Sequence, residues 1–290
     1  MTFPADDFLE MLVSPVYLAG STGIGDPGLR PILDLDPVRD RDDLGNLRLR
    51  TRCGRVRVGF EPEQDWDTLW KIAVHRAGEV ASPFDPPVWC ANFSEDTPTE
   101  IVTAVTRTLA DAIRTLPEDA ELDADTLDEA TYGDDGPLDV LWDHGWKAAL
   151  SGGEWNAVSR DGHAIMSWQR RPIEAELAEQ AGQDGRWYLG AGGQHLGWYG
   201  RFSSRTPLTV VTAATRTMTS PDPVRRWSGE LSTLAHLHAT VTRVPTPADL
   251  ARPRPRPTAP LPRTASPVAG SRLAWTSTTP SPAPGRGRGR

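Results

Sequence analysis

Cysteine, lysine and long apolar runs are what this 290-residue sequence has least of. Its two cysteines, Cys53 and Cys90, form no Cys-x-x-Cys pair, make no zinc-ligand spacing and are too few for a disulfide framework. Two reduced thiols are expected. Nowhere do about eighteen apolar residues run together, which excludes an apolar helix long enough to span a membrane. The opening Met1-Thr2-Phe3-Pro4-Ala5-Asp6-Asp7 is acidic where a secretory signal would be basic, so a soluble, cytoplasmic protein with no membrane association is expected. Lys71 and Lys147 are the only lysines, and nearly all positive charge is arginine. Also missing are a Gly-x-Ser-x-Gly nucleophile elbow and a Tyr-x-x-x-Lys pair.

What is present is unevenly placed. Beyond Val244 the chain turns to Pro, Ser, Thr and Arg with one acid, Asp249, and no apolar periodicity, so it has nothing to offset the entropy of ordering. Residues 245–290 are read as a disordered Pro/Arg-rich tail. Removing the tail's eight arginines and one acid from the net charge of −8 leaves the body near −15. That is acidic enough to discourage nucleic-acid binding by its average surface. A second shift covers 118–136, where acids occur without a basic residue; it is read as an exposed acidic connector, with Leu122, Leu127 and Ala130 able to share one side of a short helix.

The strongest signal is internal repetition. Trp89-Cys-Ala-Asn-Phe93-Ser94-Glu-Asp-Thr97-Pro98 returns as Trp198-Tyr-Gly-Arg-Phe202-Ser203-Ser-Arg-Thr206-Pro207, and the likeness continues without a gap from Val102 against Val211 to Thr108 against Thr217. The identities number about eleven in about twenty-three positions at one offset, and Trp70 and Trp187 align upstream. Two diverged copies of one domain follow, with expected boundaries 8–117 for the first repeat, 137–228 for the second and 229–244 for a terminal helical segment. Whether the copies share one sheet is left open.

Each copy has a local physical reading. Thr97 is placed to cap a helix, Pro98 suits the first helical position, and Glu100 would complete a Thr-x-x-Glu capping box. Ile101, Val105, Leu109, Ala112 and Leu116 then fall on one face until Pro117. Thr206-Pro207 repeats the start without the acid. Upstream the period changes to two: Leu47-Arg-Leu49-Arg and Arg55-Val-Arg57-Val flank Cys53-Gly54 as a hairpin, and in the second copy Asp161-Gly162 marks another. The fold class expected is α+β: two repeated domains, each a mostly antiparallel sheet followed by one Thr-Pro-capped helix, then a disordered tail.

Ser14-Pro15-Val16-Tyr17-Leu18-Ala19-Gly20, Gly145-Trp146, Ser159-Arg160-Asp161-Gly162 and the two Trp…Phe-Ser…Thr-Pro blocks together resemble the actinobacterial, streptomycete-type SPDY domain of unknown function, which is named for a Ser-Pro-Asp-Tyr motif and often occurs in tandem. The likeness spans most of residues 14–220. Here the naming motif is Ser-Arg-Asp-Gly in the second copy, with Thr51-Arg52-Cys53-Gly54 at the matching turn of the first. The resemblance implies architecture and no activity.

Candidate chemistry is sparse. Gly20-Ser-Thr-Gly23-Ile24-Gly25 has the look of a phosphate-binding turn, but Asp26-Pro27-Gly28 is expected to interrupt the helix such a turn needs, and a loop is the preferred reading. His236-Leu-His238 would share a face only on a strand, and its surroundings read as helix, so no metal site is expected. No catalytic residue and no cofactor site stands out. Trp89, Phe93, Thr97, Pro98, Trp198, Phe202, Thr206 and Pro207 are read as structural repeat anchors, since each tryptophan buries on the order of 150–250 Å². Trp66, set among charges, and Arg254, Pro257 and Pro260 in the tail are the candidate partner contacts. The functional expectation is a non-catalytic, cytoplasmic interaction protein with an unknown protein partner. The alternatives are sequence-independent nucleic-acid association through the basic tail, and an enzyme whose site is assembled from dispersed residues.

Overall fold

The computed structural model describes residues 9–22, 26–62, 68–76, 86–117, 119–129, 136–151, 153–170, 178–179, 185–192 and 197–245. The chain divides into two units, Met1–Val244 and Pro245–Arg290, and every element named below lies in the first. The expected tail, with Arg254, Pro257 and Pro260, falls outside the described residues apart from Pro245, and so does Trp66.

The chain enters through β1 (Glu10–Ser14), a cis Ser14-Pro15 bond and a 3-10 turn at Val16–Leu18. The first copy then runs α1 (Asp26–Leu33), five strands β2 (Val38–Arg41), β3 (Leu47–Arg50), β4 (Val56–Phe60), β5 (Thr68–Val74) and β6 (Trp89–Ser94), and α2 (Thr99–Thr115). After α3 (Ala124–Glu129) the second copy repeats the plan: α4 (Pro137–Asp143), β7 (Lys147–Ser151), β8 (Glu154–Val158), β9 (Ala164–Gln169), β10 (Trp187–Ala191), β11 (Trp198–Phe202) and α5 (Leu208–Met218). β12 (Val224–Trp227), α6 (Thr233–His238) and β13 (Thr240–Arg243) follow. The fold is α+β with antiparallel sheets. The two copies share one sheet of ten strands in the order β2-β3-β4-β5-β6-β11-β10-β9-β8-β7, and β6 pairs antiparallel with β11 at its centre. A smaller sheet is ordered β12-β1-β13.

Period-two patterning decides which sheet face is covered. Trp70, Ile72 and Val74 of β5, Trp89, Ala91 and Phe93 of β6, and their register partners in β11 and β10 are buried on the side where the helices lie. The Trp70 ring reaches Gly28 of α1, where an added Cβ would stand 2.7 Å from it, and Thr215 of α5 donates to the Met166 sulfur of β9. One continuous core joins both copies, and the central strand β6 is buried on both of its faces.

Four expectations are corrected. A helix does begin at Asp26, because a proline in the first turn lacks only an N–H that would have no partner there, and the close approach of Trp70 requires Gly28. Thr97 caps nothing: α2 starts at Thr99 with no side-chain cap, so the capping box is not formed. The described part of 118–136 is packed rather than exposed: Leu122 and Leu127 are buried, and Asp128 accepts hydrogen bonds from the backbone N–H groups of Leu208 and Thr209, capping α5 from outside its own segment. Within 229–244, only Thr233–His238 is an α-helix, while Thr240–Arg243 is a strand pairing with β1.

Candidate functional site

The eight repeat anchors are all buried, and they form a reciprocal seam between the copies. Ser94 Oγ accepts from the Tyr199 N–H at 2.9 Å, and Thr97 Oγ1 donates to the Tyr199 carbonyl at 3.1 Å. In mirror fashion Ser203 Oγ accepts from the Cys90 N–H at 3.0 Å, and Thr206 Oγ1 donates to the Cys90 carbonyl at 3.4 Å. Phe93 and Phe202 meet edge to face beneath, with centroids 5.5 Å apart at 86°. Ser and Thr extend the short β6/β11 ladder with side-chain bonds to buried backbone groups, and at Cys90 the carbonyl also accepts from the Ser203 N–H at 2.9 Å.

The segments preceding each copy are exchanged in the same sense. Trp198 Nε1 donates to the Tyr17 carbonyl at 2.8 Å, and Trp89 Nε1 donates to the Leu122 carbonyl at 2.6 Å. The hairpin turns hold these segments. Tyr17 Oη donates to Asp161 Oδ2 at 2.8 Å, while Asp161 Oδ1 accepts from the Ser159 hydroxyl and the His163 N–H. At the matching turn of the first copy Arg55, only 1% exposed, donates to the carbonyls of Pro117 and Ala120 and lies 3.4 Å from Cys53 Sγ. The Ser159-Arg160-Asp161-Gly162 turn is therefore a latch for the segment carrying Tyr17.

Burial works to raise the Asp161 carboxyl, but hydrogen bonds from Ser159, His163 and Tyr17 outweigh it and hold the carboxyl below its ordinary value. A group with a depressed folded-state value adds stability above its unfolded value, and this is lost as pH falls through the folded one. Wild type should therefore lose more of its thermal midpoint than Asp161→Asn between pH 7 and about pH 3, a range that spans the ordinary aspartate value near 4. Parallel melting curves for the two proteins across that range would refute the latch.

The repeat anchors being buried, what differs between the copies lies on the other face of the sheet, which is covered over β6, where Cys90, Asn92 and Ser94 are buried and the helical residues 178–179 lie against Cys90. Register pairing sets one row across all ten strands: Asp40, Arg48, Gly59, Lys71 and Asn92 in the first copy, then Arg201, Tyr188, Ser167, Asn156 and Ala149 in the second, with Asn92 and Ser167 buried. Beside it, Arg50 stands directly opposite Arg57, an arrangement of like charges that a sheet does not favour for stability. The equivalent positions in the second copy are Val158 and Ile165. Charge is thus concentrated on the first copy's half of the face.

A shallow pocket of about 380 Å³ opens there, lined by Arg48, Arg50, Arg57, Lys71, Asp40 and Glu61 among others, and the small Gly59 and Ala73 also line it. Glu61 is buried, which pushes its carboxyl up, but Lys71 and Arg48, each 2.9 Å away, pull it below the ordinary range and keep it ionised. On the second half, Tyr188 lies over Gly190, where an added Cβ would come within 3.1 Å of the ring, and Tyr199 runs nearly parallel at 16° with centroids 6.3 Å apart. The Arg201 guanidinium sits 4.2 Å from the centroid of Tyr199. At one end of β6 the face is covered: Cys90 Sγ donates to the Glu179 carbonyl at 3.0 Å, and burial pushes its thiol up to about 11, far from a nucleophilic thiolate.

Other sequence candidates carry less. His236 and His238 lie on helix α6 rather than a strand, and His238 stacks on His163 with centroids 3.9 Å apart. Among the described residues no group of three or more His, Cys, Asp or Glu side chains is arranged to hold a metal, and none of the helices is long and apolar enough to cross a membrane. Gly20 belongs to a loop whose carbonyl accepts from Arg226, and residues 23–25 lie outside the described set. Trp142 and Trp227, 50% and 49% exposed, are exposed tryptophans not singled out from sequence. The outward face was also missed, although its signal was there: the outward positions of the alternating strands, 48, 50 and 57, are all arginine, and the matching positions of the second copy are not.

The candidate site is thus the outward face of β2–β5, on the first copy's half of the shared sheet. The family model described as SPDY, a domain of unknown function (DUF317), matches residues 50–113 and 158–224. Each matched segment begins near the hairpin turn at 51–54 or 159–162 and takes in the last three strands of its copy and most or all of the following helix, so the chain holds two diverged segments similar to that domain. No curated protein and no solved structure matches the chain.

Proposed function

We propose that the chain is a non-catalytic, cytoplasmic interaction protein that holds its partner against the outward face of the ten-stranded sheet, on the strands to either side of the buried β6. One observation carries this reading: between the copies the buried residues repeat, while the outward residues diverge into a basic half (Arg48, Arg50, Arg57, Lys71) and a half bearing Tyr188 and Tyr199. A surface kept only for solubility has no need of opposed arginines or half-buried tyrosines. The breadth of the face and the shallowness of its pocket suit a macromolecule better than a small substrate.

Immobilised wild-type protein under native conditions should retain a partner that the Arg50→Glu/Arg57→Glu variant loses, with both proteins showing the same melting curve. Retention unaffected by the charge reversal, or turnover in an activity screen, would overturn the reading. The tail's eight arginines favour a second reading, sequence-independent nucleic-acid association through residues 245–290, which deletion of that segment would abolish.

A further inference from the structure

We infer that the outer edge of β7 pairs with the same edge of another molecule of this chain, antiparallel about a two-fold axis at Ala149. It is a separate surface from the outward face, and nothing about the partner proposed above enters into it. An open sheet of ten strands has two edges, here β2 and β7, whose outer backbone N–H and C=O groups no described strand takes up. The repeat makes the two edges directly comparable. On the helix side of the sheet, the first copy's row runs Phe93, Trp70, Phe60, Leu47 and ends at Arg41. The second copy's row runs Phe202, Trp187, Trp168, Trp155 and ends at Leu150. One position of the fold thus carries a cation at one edge and an apolar side chain, 71% exposed, at the other.

The β2 edge is guarded. Its residues Val38, Arg39, Asp40 and Arg41 are all exposed and three are charged, which is how sheets keep an edge from adding strands. On β7, Lys147, Ala148, Ala149 and Leu150 are equally exposed, and all but the lysine are apolar. Trp155 is the register partner of Leu150, and Trp142 of α4, half exposed, meets Trp155 edge to face at 6.1 Å and 75°. Leu150, Trp155 and Trp142 therefore make one apolar margin beside an unpaired strand.

Three observations fit another molecule of the same chain to this edge. Side chains alternate between sheet faces, and a strand paired with itself about one of its own residues sets like face beside like face. With the axis at Ala149, Ala148 of each molecule stands opposite Leu150 of the other on the helix side, a small residue against a large one. Charge is also complementary. On the outward side Lys147 stands opposite residue 151 of the other molecule, whose own register partner is Glu154. Lys147 and that glutamate are then two interstrand steps apart, about 10 Å, within the combined reach of both side chains, and the two-fold repeats the pair. A body of net charge near −15 repels its like, and Lys147, one of only two lysines, is placed to offset this at the contact. Finally, the chain already joins units this way, since β6 and β11 pair antiparallel to make one sheet of two copies. A five-residue strand with its flanking side chains is at the small end of interfaces, so a Kd of about 1–100 μM is expected.

Sedimentation velocity of the full chain from about 1 to 300 μM brackets that range. The weight-average mass should rise from 31.7 kDa toward twice that value and stop there. Leu150→Arg, which copies the first copy's edge, should weaken the dimer roughly tenfold or more, and so should Ala149→Lys, which sets like charges opposite each other on the axis. Lys147→Glu and Glu154→Lys should each weaken it, and Lys147→Glu/Glu154→Lys should restore it, because the exchange leaves the pairs complementary. Under mild oxidation Ala149→Cys should form an intermolecular disulfide, since directly opposed residues of an antiparallel pair bring their Cα atoms to about 4.5–5.5 Å. Wild type, with only Cys53 and Cys90, should not, and neither should Asp40→Cys on the other edge. Near-ultraviolet circular dichroism of each variant at low concentration separates loss of pairing from loss of fold.

A mass that stays at 31.7 kDa throughout the range overturns the inference. So does a dimer that tolerates both Leu150→Arg and Ala149→Lys, because it uses another surface. Mass that grows past the dimer, with Ala149→Cys cross-linking to Asp40→Cys in a mixture, overturns the two-fold in favour of head-to-tail joining of β7 to β2.

Discussion

Phe202→Ala is expected to lower the stability of the body by about 3–5 kcal/mol, and to do so for both copies at once. Phe202 is fully buried and lies edge to face on Phe93, so truncation removes the transfer energy of a large ring and an aromatic pair contact worth about 0.5–1.5 kcal/mol, and it leaves a cavity at the point where β6 meets β11. The neighbouring Ser203 and Thr206 hold both backbone groups of Cys90, so a shift of β11 would strain the bonds that tie the copies together. The exchange of the segments carrying Tyr17 and Leu122 adds a second link in each direction.

Urea unfolding followed by tryptophan fluorescence should therefore show one transition in wild type and one, at lower urea and with unchanged slope, in Phe202→Ala. Phe202→Leu should cost less, about 1.5 kcal/mol, because most of the volume is kept. Two resolved transitions in wild type, or a loss below about 1.5 kcal/mol for the alanine variant, would mean that the copies are stabilised separately and the seam is incidental.

That seam shows what was legible from residues alone and what was not. Hydrophobic period, the Asp161-Gly162 turn and the Trp-to-Thr-Pro repeat each depend on neighbours in sequence, and they were enough to read strands, hairpins and the two helices α2 and α5. Thr97 shows the limit. Its local surroundings favour a helix cap, but the carbonyl of Tyr199, 102 residues away, takes its hydroxyl instead, and a tertiary bond outcompetes a local one. Glu100, read as the other half of that capping box, is likewise drawn off to Arg226.

The outward face was hidden for a related reason. Arg48, Lys71, Asn92, Arg201 and Tyr188 are far apart in sequence, and only the central pairing of β6 with β11 sets them in one row. Which edge one copy would turn to the other is decided by packing, not by any pattern within a strand.

Arg226 leads to the second large effect: Arg226→Met should cost about 3 kcal/mol and should loosen the small sheet before the large one. The residue is 3% exposed, and its guanidinium meets both oxygens of Glu100 at 2.8 and 2.6 Å while also donating to the carbonyls of Gly20 and Arg225. Removing it leaves a carboxylate and two carbonyls without a strong donor. Glu100 is 30% exposed, so water recovers part of the loss, which is why the lower end of the usual range for a broken buried pair is expected.

The small sheet has little else to hold it: its own core is Val13, Ala19 and Ala235 with a few half-buried neighbours. Amides of β1, β12 and β13 should accordingly exchange hydrogen faster in Arg226→Met while those of β6 and β11 keep wild-type protection until global unfolding. Arg226→Lys should recover little, since an ammonium cannot span two carboxylate oxygens and a carbonyl together. Arg226→Met/Glu100→Leu should recover more than half of the loss, because the orphaned charge is then gone. Uniform acceleration of exchange across both sheets would show that Arg226 supports the whole body, and a loss under about 1 kcal/mol would show that solvent replaces the pair without penalty.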